Sequence, residues 1–118
     1  MDIKLTKENL QKGIQTVQNA VSQKSSLPIL FNILLETVKN NKIRLVATDL
    51  EIGIISTIDA EIQEEGAISI PAKKISDIVK ELPGIKLSLS AKKNNQIIIK
   101  CEKSTFKMMG LPKDEFPK

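Results

Sequence analysis

The chain has 118 residues, of which 41% are hydrophobic and 27% are charged, and this balance predicts a single globular domain that can bury its own core. It contains no histidine and one cysteine, Cys101, which excludes a Ser-His-Asp or Cys-His catalytic arrangement, the usual zinc ligand sets and an internal disulfide. The net charge of +4 favours a polyanionic partner only weakly, because an ordinary lysine-rich surface gives the same value.

The first half of the chain predicts a strand, a helix and three further strands. Ile3 and Leu5 alternate with polar residues as in a short strand, and Thr6 is suited to cap a following helix. The apolar stripe of this helix comprises Leu10, Ile14, Val17 and Val21. After a polar loop at 22–28, strand-like runs are predicted at 29–38, 43–47 and 52–62, with a turn at Asn40-Asn41.

The same order recurs in the second half of the chain. A short strand at 67–70 precedes Pro71, which suits the first turn of a helix. The stripe of this second helix comprises Ile75, Ile78, Val79 and Leu82, and Pro83-Gly84 ends it. Three more strands are predicted at 87–89, 97–99 and 103–109, with a turn at Asn94-Asn95. The pattern predicts an α+β domain of two strand–helix–three-strand repeats, at about 1–62 and 66–110; the alternative is a generic α+β domain with chance symmetry.

The remaining segment, 111–118, contains two prolines and is expected to be a tail or linker. No apolar run approaches the ~20 residues that a membrane span needs, and no basic-then-apolar leader opens the chain. We therefore expect a cytoplasmic protein that does not contact a membrane.

Four carboxylates form two pairs with the same spacing. Asp49 and Glu51 are two residues apart, as are Asp59 and Glu61. On a strand, this spacing places both side chains on one face, where they could bind Mg²⁺ or share acid–base work. A small metal-dependent phosphodiesterase that uses Asp49 and Glu51 is therefore one hypothesis. The alternative, which we favour, is a solvated strand end where Asp49 accepts hydrogen bonds from turn backbone.

Lysines lie on the face of each predicted helix that is opposite to its apolar stripe. Lys12 is on the first helix, Lys73 and Lys80 are on the second, and Lys24 is in the loop after the first. If the helices lie side by side, these residues form a basic strip that suits phosphates, while its lack of arginine makes it unsuited to reading bases. Aromatic residues, at 3%, are too few for a single-strand stacking platform. The strip is a candidate for sequence-neutral contact with nucleic-acid backbone; the alternative is two solvated helix faces.

Five short motifs in register resemble the first domain of the bacterial beta clamp family, the sliding clamps of DNA polymerase III. They are Leu27-Pro28-Ile29-Leu30, Thr48-Asp49-Leu50-Glu51, Ile70-Pro71-Ala72-Lys73-Lys74, Leu82-Pro83, and Leu111-Pro112 with Glu115-Phe116-Pro117. Their order and spacing agree along essentially the whole chain. The resemblance implies the DNA clamp fold, with two helices on an inner face and antiparallel sheets outside, and makes 1–118 a single N-terminal domain.

The resemblance also implies a non-catalytic role that needs no cofactor. The family forms rings that encircle double-stranded DNA and confer processivity on the replicative polymerase. A full-length subunit has three such domains, forms a head-to-tail homodimer, and meets the polymerase and the clamp loader. Residues 111–118 would then begin the linker to a second domain. One domain is not expected to close a ring or to carry the family's peptide-binding site, and its DNA dissociation constant is expected to be ~10⁻⁴ M or weaker at physiological salt.

Individual residues follow from the resemblance in the same way. Lys24 falls where the family often has a basic residue that touches DNA, and Lys73 is placed near the inner surface. The residues that match the ring-closing interface are Lys74, Lys103, Phe106 and Met108. Thr105 stands where some relatives have an arginine, which puts one interface ion pair in doubt. A stand-alone protein-interaction module that uses the 103–109 edge is the remaining alternative.

Overall fold

The computed structural model describes residues 1–21 and 28–117. Its helices and strands are β1 Asp2–Thr6, α1 Lys7–Gln18, β2 Asn32–Val38, β3 Lys42–Thr48, β4 Gly53–Asp59, β5 Glu61–Glu64, β6 Ala67–Pro71, α2 Ala72–Glu81, β7 Lys86–Ala91, β8 Gln96–Cys101 and β9 Ser104–Met109. Short 3₁₀ helices lie at Pro28–Phe31 and Lys113–Glu115. The strands form two antiparallel sheets, ordered β5-β1-β7-β8-β9 and β4-β3-β2-β6. The predicted α+β class is confirmed.

Helix α1 begins at the predicted cap. The backbone N–H of Asn9 donates to Thr6 Oγ1 over 3.1 Å, which satisfies one of the donors that a helix start leaves open. The buried stripe contains Leu10, Ile14 and Val17, as the spacing predicts. The helix ends at Gln18, so the predicted fourth member, Val21, lies beyond it and packs half-buried against the core.

Helix α2 packs beside α1, and both helices share one hydrophobic core with the two sheets. Ile75 and Val79 are buried on its inner side. Leu45 from the four-stranded sheet and Leu89 from the five-stranded sheet belong to the same core cluster. Because the apolar stripes face this shared core, the polar faces of both helices lie exposed on one side of the domain.

The internal duplication extends further than the predicted repeats. The order β1-α1-β2-β3-β4 recurs as β6-α2-β7-β8-β9. After the first unit, β5 crosses to the other sheet and pairs with β1. After the second unit, Leu111 forms an antiparallel bridge with Ser69 of β6. Each unit therefore ends in a segment that crosses between the sheets and borders its own first strand.

The run at 52–62, predicted as one strand, is two strands in two sheets. β4 pairs with β3, and after Ala60 the chain continues as β5. Ala60 is buried, and its N–H donates to Asn41 O over 3.0 Å. Inward-facing and outward-facing residues continue to alternate through the break at Ala60. A sequence pattern of period two therefore does not reveal that the chain pairs with a different strand after this residue. The run at 29–38 also differs, because it starts with the 3₁₀ helix Pro28–Phe31.

The described part of the expected linker packs against the domain. Ser69 and Leu111 exchange two backbone hydrogen bonds of 3.0 Å, and the Phe116 side chain is only 4% exposed. Residues 111–117 therefore belong to the folded body, and where a linker begins stays a prediction. Neither helix in the described ranges has the length and apolar content needed to cross a membrane.

Candidate nucleic-acid interface

The two lysines of α2 lie where the helices form an open groove. Lys73 and Lys80 are exposed, and they line this groove together with Gln18 of α1. Within the described residues, neither lysine has a carboxylate within 4.0 Å, although Asp77 also lines the groove. Their ammonium groups are thus available to phosphate oxygens.

Amide side chains extend this surface onto α1. Gln11, Gln15 and Gln18 line a narrow cleft against Ser76 and Lys80 of α2. Amides and mobile ammonium groups donate hydrogen bonds to phosphate without a fixed geometry. The surface formed by Lys73, Lys80 and these glutamines is called the helix-face strip below.

Lys12 occupies the exposed face of α1, as predicted, but its charge is shared. Its Nζ lies 3.1 Å from Glu8 Oε1 in an (i, i+4) ion pair, and both side chains are largely exposed. Such a pair contributes little to stability, but it partly neutralises the local positive potential. The positive charge of Lys12 is therefore less available to an anion than the charges of Lys73 and Lys80. Lys24, the fourth predicted contact, lies outside the described residues.

The only arginine of the sequence lies on a sheet and not on the helices. Arg44 of β3 donates from Nε to Glu36 Oε1 of β2 over 2.6 Å, and its Nη2 lies 2.5 Å from the same oxygen. Because Arg44 lies on a strand and is paired with Glu36, its guanidinium is not part of the helix-face strip. The strip therefore has phosphate-type donors, and it lacks the rigid guanidinium fork that is best suited to reading guanine.

Three of the four predicted interface residues, Lys103, Phe106 and Met108, lie in or beside the last strand of the five-stranded sheet. β9 is the terminal strand there, and Lys103 precedes it in an exposed turn. Lys74 is exposed on α2. Phe106 is half-buried against the core, and Met108 is buried at 9% exposure, so both side chains point inward. The apolar residue that faces solvent is Met109, which was not among the predicted interface residues, although alternation from a buried Met108 would have indicated it.

The paired carboxylates do not form a common site. Asp49 Oδ1 accepts hydrogen bonds of 2.9 Å from the backbone N–H groups of Ile52 and Glu51. These two hydrogen bonds, the one from Ile52 first, hold the pKa of Asp49 below its usual value. Asp59 lies at the far end of the β3–β4 hairpin and binds Lys42 over 2.6 Å.

This geometry supports the turn role of Asp49 over a metal-binding role. Asp49 uses one carboxylate oxygen to close the β3–β4 turn, and a length of hairpin separates it from Asp59. Across residues 1–21 and 28–117, no three His, Cys, Asp or Glu side chains converge in a way that could hold a metal ion. The described residues thus offer no observation in favour of a phosphodiesterase.

The chain is a duplicated α+β unit in which two adjacent helices pack over two antiparallel sheets, and the helix surface carries lysines. These features define the class of the clamp domains. A model of the family described as DNA polymerase III beta subunit, N-terminal domain, matches residues 1–118. The chain belongs to this family, and the resemblance drawn from the five motifs is confirmed.

Individual relatives agree with this assignment. The chain is 37% identical to a beta sliding clamp of Synechocystis sp., an alignment that covers 92% of this chain and 30% of the relative. It is 34% identical to a beta sliding clamp of Vibrio cholerae, with 99% and 32% covered. The chain thus spans about a third of the length of these relatives.

Solved structures show the same fold. A DNA polymerase sliding clamp from Caulobacter crescentus superposes with a TM-score of 0.92 at 32% identity, over 100% of this chain and 32% of that one. A DNA polymerase III subunit beta from Pseudomonas aeruginosa gives 0.91, also at 32% identity and with the same coverage. The clamp fold expected from the resemblance is confirmed.

Proposed function

We propose that the chain acts as the N-terminal domain of a ring that encircles duplex DNA and confers processivity on the replicative DNA polymerase. Membership of the beta-subunit family supports this role, and so do the relatives named as sliding clamps. In this role the chain binds and positions, and it carries out no catalysis. Its place of action is the bacterial cytoplasm, on the chromosome.

The observation that carries the proposal is the chemistry of the helix-face strip. Lys73 and Lys80 stand on one helix, glutamines stand on the next, and Arg44 is engaged on the sheet. A ring that slides must hold DNA without recognising a sequence and without binding it tightly. Point charges and amides directed at phosphates meet both conditions, because phosphates repeat along every duplex. Lys12 and Lys24 are proposed as additional contacts of the same kind.

The finer assembly is part of the proposal. We place Lys74, Lys103, Phe106 and Met108 at the interface that closes a head-to-tail dimer of full-length subunits. The inward direction of Phe106 and Met108 means that they support the β9 edge from within, while its open backbone and the lysines meet the partner. The polymerase and the clamp loader are expected to bind the full-length protein.

An NMR titration of the labelled chain with two duplexes of unrelated sequence tests the DNA contact. At low salt, we expect amide shifts around Lys73 and Lys80 that are alike for both duplexes and fade as salt rises. In the double variant Lys73→Gln/Lys80→Gln, the affinity falls, and the slope of log K against log salt becomes less steep by about 1.8, or about 0.9 for each phosphate contact removed.

The matched control is Lys92→Gln/Lys93→Gln, which removes the same charge at the exposed turn before β8. It should keep most of the affinity, since only the long-range charge changes. Equal losses in the two double variants would show that net charge, and not the helix-face strip, binds the DNA. Shifts that differ between the two duplexes would contradict sequence-neutral contact.

A further inference from the structure

The outer face of the five-stranded sheet borders a cavity that the proposed DNA contact does not use. The cavity lies where β1, β7 and β8 meet the turn between β2 and β3, and its volume is about 670 Å³. Volumes of roughly 300–1,000 Å³ are typical of sites for small organic ligands. The helix-face strip shares no residue with this cavity. We call it the sheet pocket, and its charged side chains are Lys4, Lys86, Lys100, Asp59 and Glu61.

Three lysines from adjacent strands converge in the sheet pocket. Ser88 of β7 lies between Lys4 of β1 and Lys100 of β8 in one cross-strand row. Lys86 is two residues before Ser88 on the same face, which places it diagonally to both other lysines at about 7–8 Å. Their neighbours in the strands, such as Leu87, are buried, so the lysines point away from the core. Lys4, Lys86 and Lys100 are called the lysine triangle below.

The lysine triangle has no counter-charge in direct contact. Across residues 1–21 and 28–117, none of its three ammonium groups has a carboxylate within 4.0 Å. Like charges at neighbouring positions of a sheet repel one another, and a polyanion held between them would remove this repulsion. The hydroxyl groups of Thr6 and Ser88 line the same part of the sheet pocket and add neutral donors. Lysine ammonium groups suit phosphate groups because their donors rotate freely.

The opposite side of the sheet pocket is rich in hydrogen-bond acceptors. Glu61 of β5 lies across from Lys4, and Asp59 precedes it at the turn between β4 and β5. Asp59 binds Lys42 through Oδ1, and Glu61 accepts from Gln63 through Oε1, so each carboxylate keeps one oxygen for a further donor. Carboxylates repel phosphate, but they accept hydrogen bonds from sugar hydroxyls and from amines. Positive charge therefore lies towards β8 and negative charge lies towards β5.

This separation of charge restricts the class of ligand. A ligand that satisfies both sides carries several negative charges at one end and hydrogen-bond donors at the other. An isolated phosphate ion would meet only the lysine triangle and would leave most of the cavity empty. A nucleoside triphosphate has both parts in one molecule, since its phosphates match the lysine triangle while its ribose hydroxyls match the acceptors of Asp59 and Glu61.

We propose that the sheet pocket binds a nucleoside triphosphate, with its phosphates on the lysine triangle and its nucleoside towards Asp59 and Glu61. All of these side chains are exposed and must be ordered on binding. We therefore expect a dissociation constant of about 10⁻⁴ M at low salt, which weakens as salt rises. The inference goes beyond the proposed DNA contact and does not depend on it.

An NMR titration of the labelled chain with ATP, without divalent metal, tests the site. We expect saturable amide shifts around Lys4, Ser88 and Lys100. The double variant Lys86→Gln/Lys100→Gln should bind ATP about tenfold more weakly, because two of the three phosphate contacts are lost. Both lysines are exposed, so the fold is preserved, and unchanged amide positions in the rest of the spectrum check this. An absence of shifts around Ser88 at about 5 mM ATP would overturn the proposal.

The matched control is Lys73→Gln/Lys80→Gln, which removes the same charge from the helix-face strip. It should bind ATP as the unchanged chain does, although its DNA affinity falls. Lys86→Gln/Lys100→Gln should show the reverse, with DNA affinity retained, so the two proposals can fail separately. ATP shifts confined to the surroundings of Lys73 and Lys80 would show that the nucleotide binds the DNA surface, and they would overturn the sheet pocket as its site.

Tripolyphosphate distinguishes a nucleotide site from a plain cluster of charge. It carries at least as much negative charge as ATP but has no hydroxyls for Asp59 and Glu61, so we expect it to bind about fivefold more weakly than ATP. In Glu61→Ala, the ATP affinity should fall and the tripolyphosphate affinity should rise, because an acceptor and a repelling charge are removed together. Equal affinities of ATP and tripolyphosphate for the unchanged chain would overturn the assignment to a nucleotide.

Discussion

At the scale of the residue, backbone groups close to Asp49 in the chain determine whether its carboxylate stabilises a turn or binds a metal. Its spacing from Glu51 is compatible with a metal site, but two backbone N–H groups take up its Oδ1. The same turn holds Leu50 at φ 79°, a backbone angle that costs energy for a branched side chain. The hydrogen bonds to Asp49 and the one from Leu50 N–H to Thr48 Oγ1 offset that cost.

The lowered pKa of Asp49 makes its contribution depend on pH. A carboxyl group with a lower pKa in the folded state stabilises the fold above its unfolded pKa, near 3.8, and this contribution is lost as the pH falls through the lower folded value. We expect Asp49→Ala to lower the melting temperature at pH 7 and the difference from the unchanged chain to shrink below pH 3.8.

Asp49→Asn is the control for this prediction, since the amide oxygen still accepts a hydrogen bond but carries no charge. Its melting temperature at pH 7 should lie between those of the unchanged chain and Asp49→Ala. A difference between Asp49→Ala and the unchanged chain that stays constant from pH 7 to pH 2.5, well below the usual value of 3.8, would show that the carboxylate charge has no part in the turn.

At the scale of the element, the segment after β9 is held by a close approach to β6. Gly110 follows β9 and lies against Ser69, and a Cβ at this position would meet Ser69 O at 2.5 Å and Ile97 Cδ1 at 2.7 Å. Only a residue without a side chain fits there. This contact lets Leu111 bridge to Ser69 and allows the second repeat to end as the first does.

We expect Gly110→Ala to reduce the free energy of unfolding by about 1–3 kcal/mol, because the added methyl must displace backbone. Urea denaturation followed by circular dichroism measures this. Gly53→Ala is the matched control, since the nearest atoms to its added Cβ lie at 3.8 Å and need not move. A Gly110→Ala protein as stable as Gly53→Ala would contradict the close packing of the two sheets at this corner.

At the scale of the whole molecule, one core joins both repeats. Its cluster contains buried residues from both helices and from both sheets. Ile43 of β3 and Ile97 of β8 are completely buried members of it in different sheets. Neither repeat can lose its packing without exposing the inner face of the other, so the chain should unfold in one cooperative step.

We expect Ile43→Val and Ile97→Val each to cost about 0.5–1.5 kcal/mol and each to shift the unfolding of both sheets together. NMR amide intensities along a urea series report every strand separately, which suits a chain with no tryptophan or tyrosine. If Ile43→Val moved only the transition of the β4-β3-β2-β6 sheet, the two sheets would be independent folding units.

Local patterns in the sequence predicted most of the secondary structure. The Thr6 cap, both apolar helix stripes and the asparagine turns depend on residues within a few positions of one another, so the sequence alone determines them. The exposed positions of Lys12, Lys73 and Lys80 followed from the same helical period. Family membership followed from five motifs whose spacing runs along the whole chain.

Contacts between residues distant in sequence could not be predicted, because they depend on how the strands and helices pack. The break at Ala60, the packing of Leu111 and Phe116, and the inward direction of Met108 all depend on which strand lies next to which. An apolar–polar alternation with a period of two indicates which residues share a face of a strand, but it does not indicate which sheet the strand joins. For the same reason, the sequence placed lysines on two helices, while only the packing of α1 against α2 brought Lys73 and Lys80 to the glutamines of the other helix.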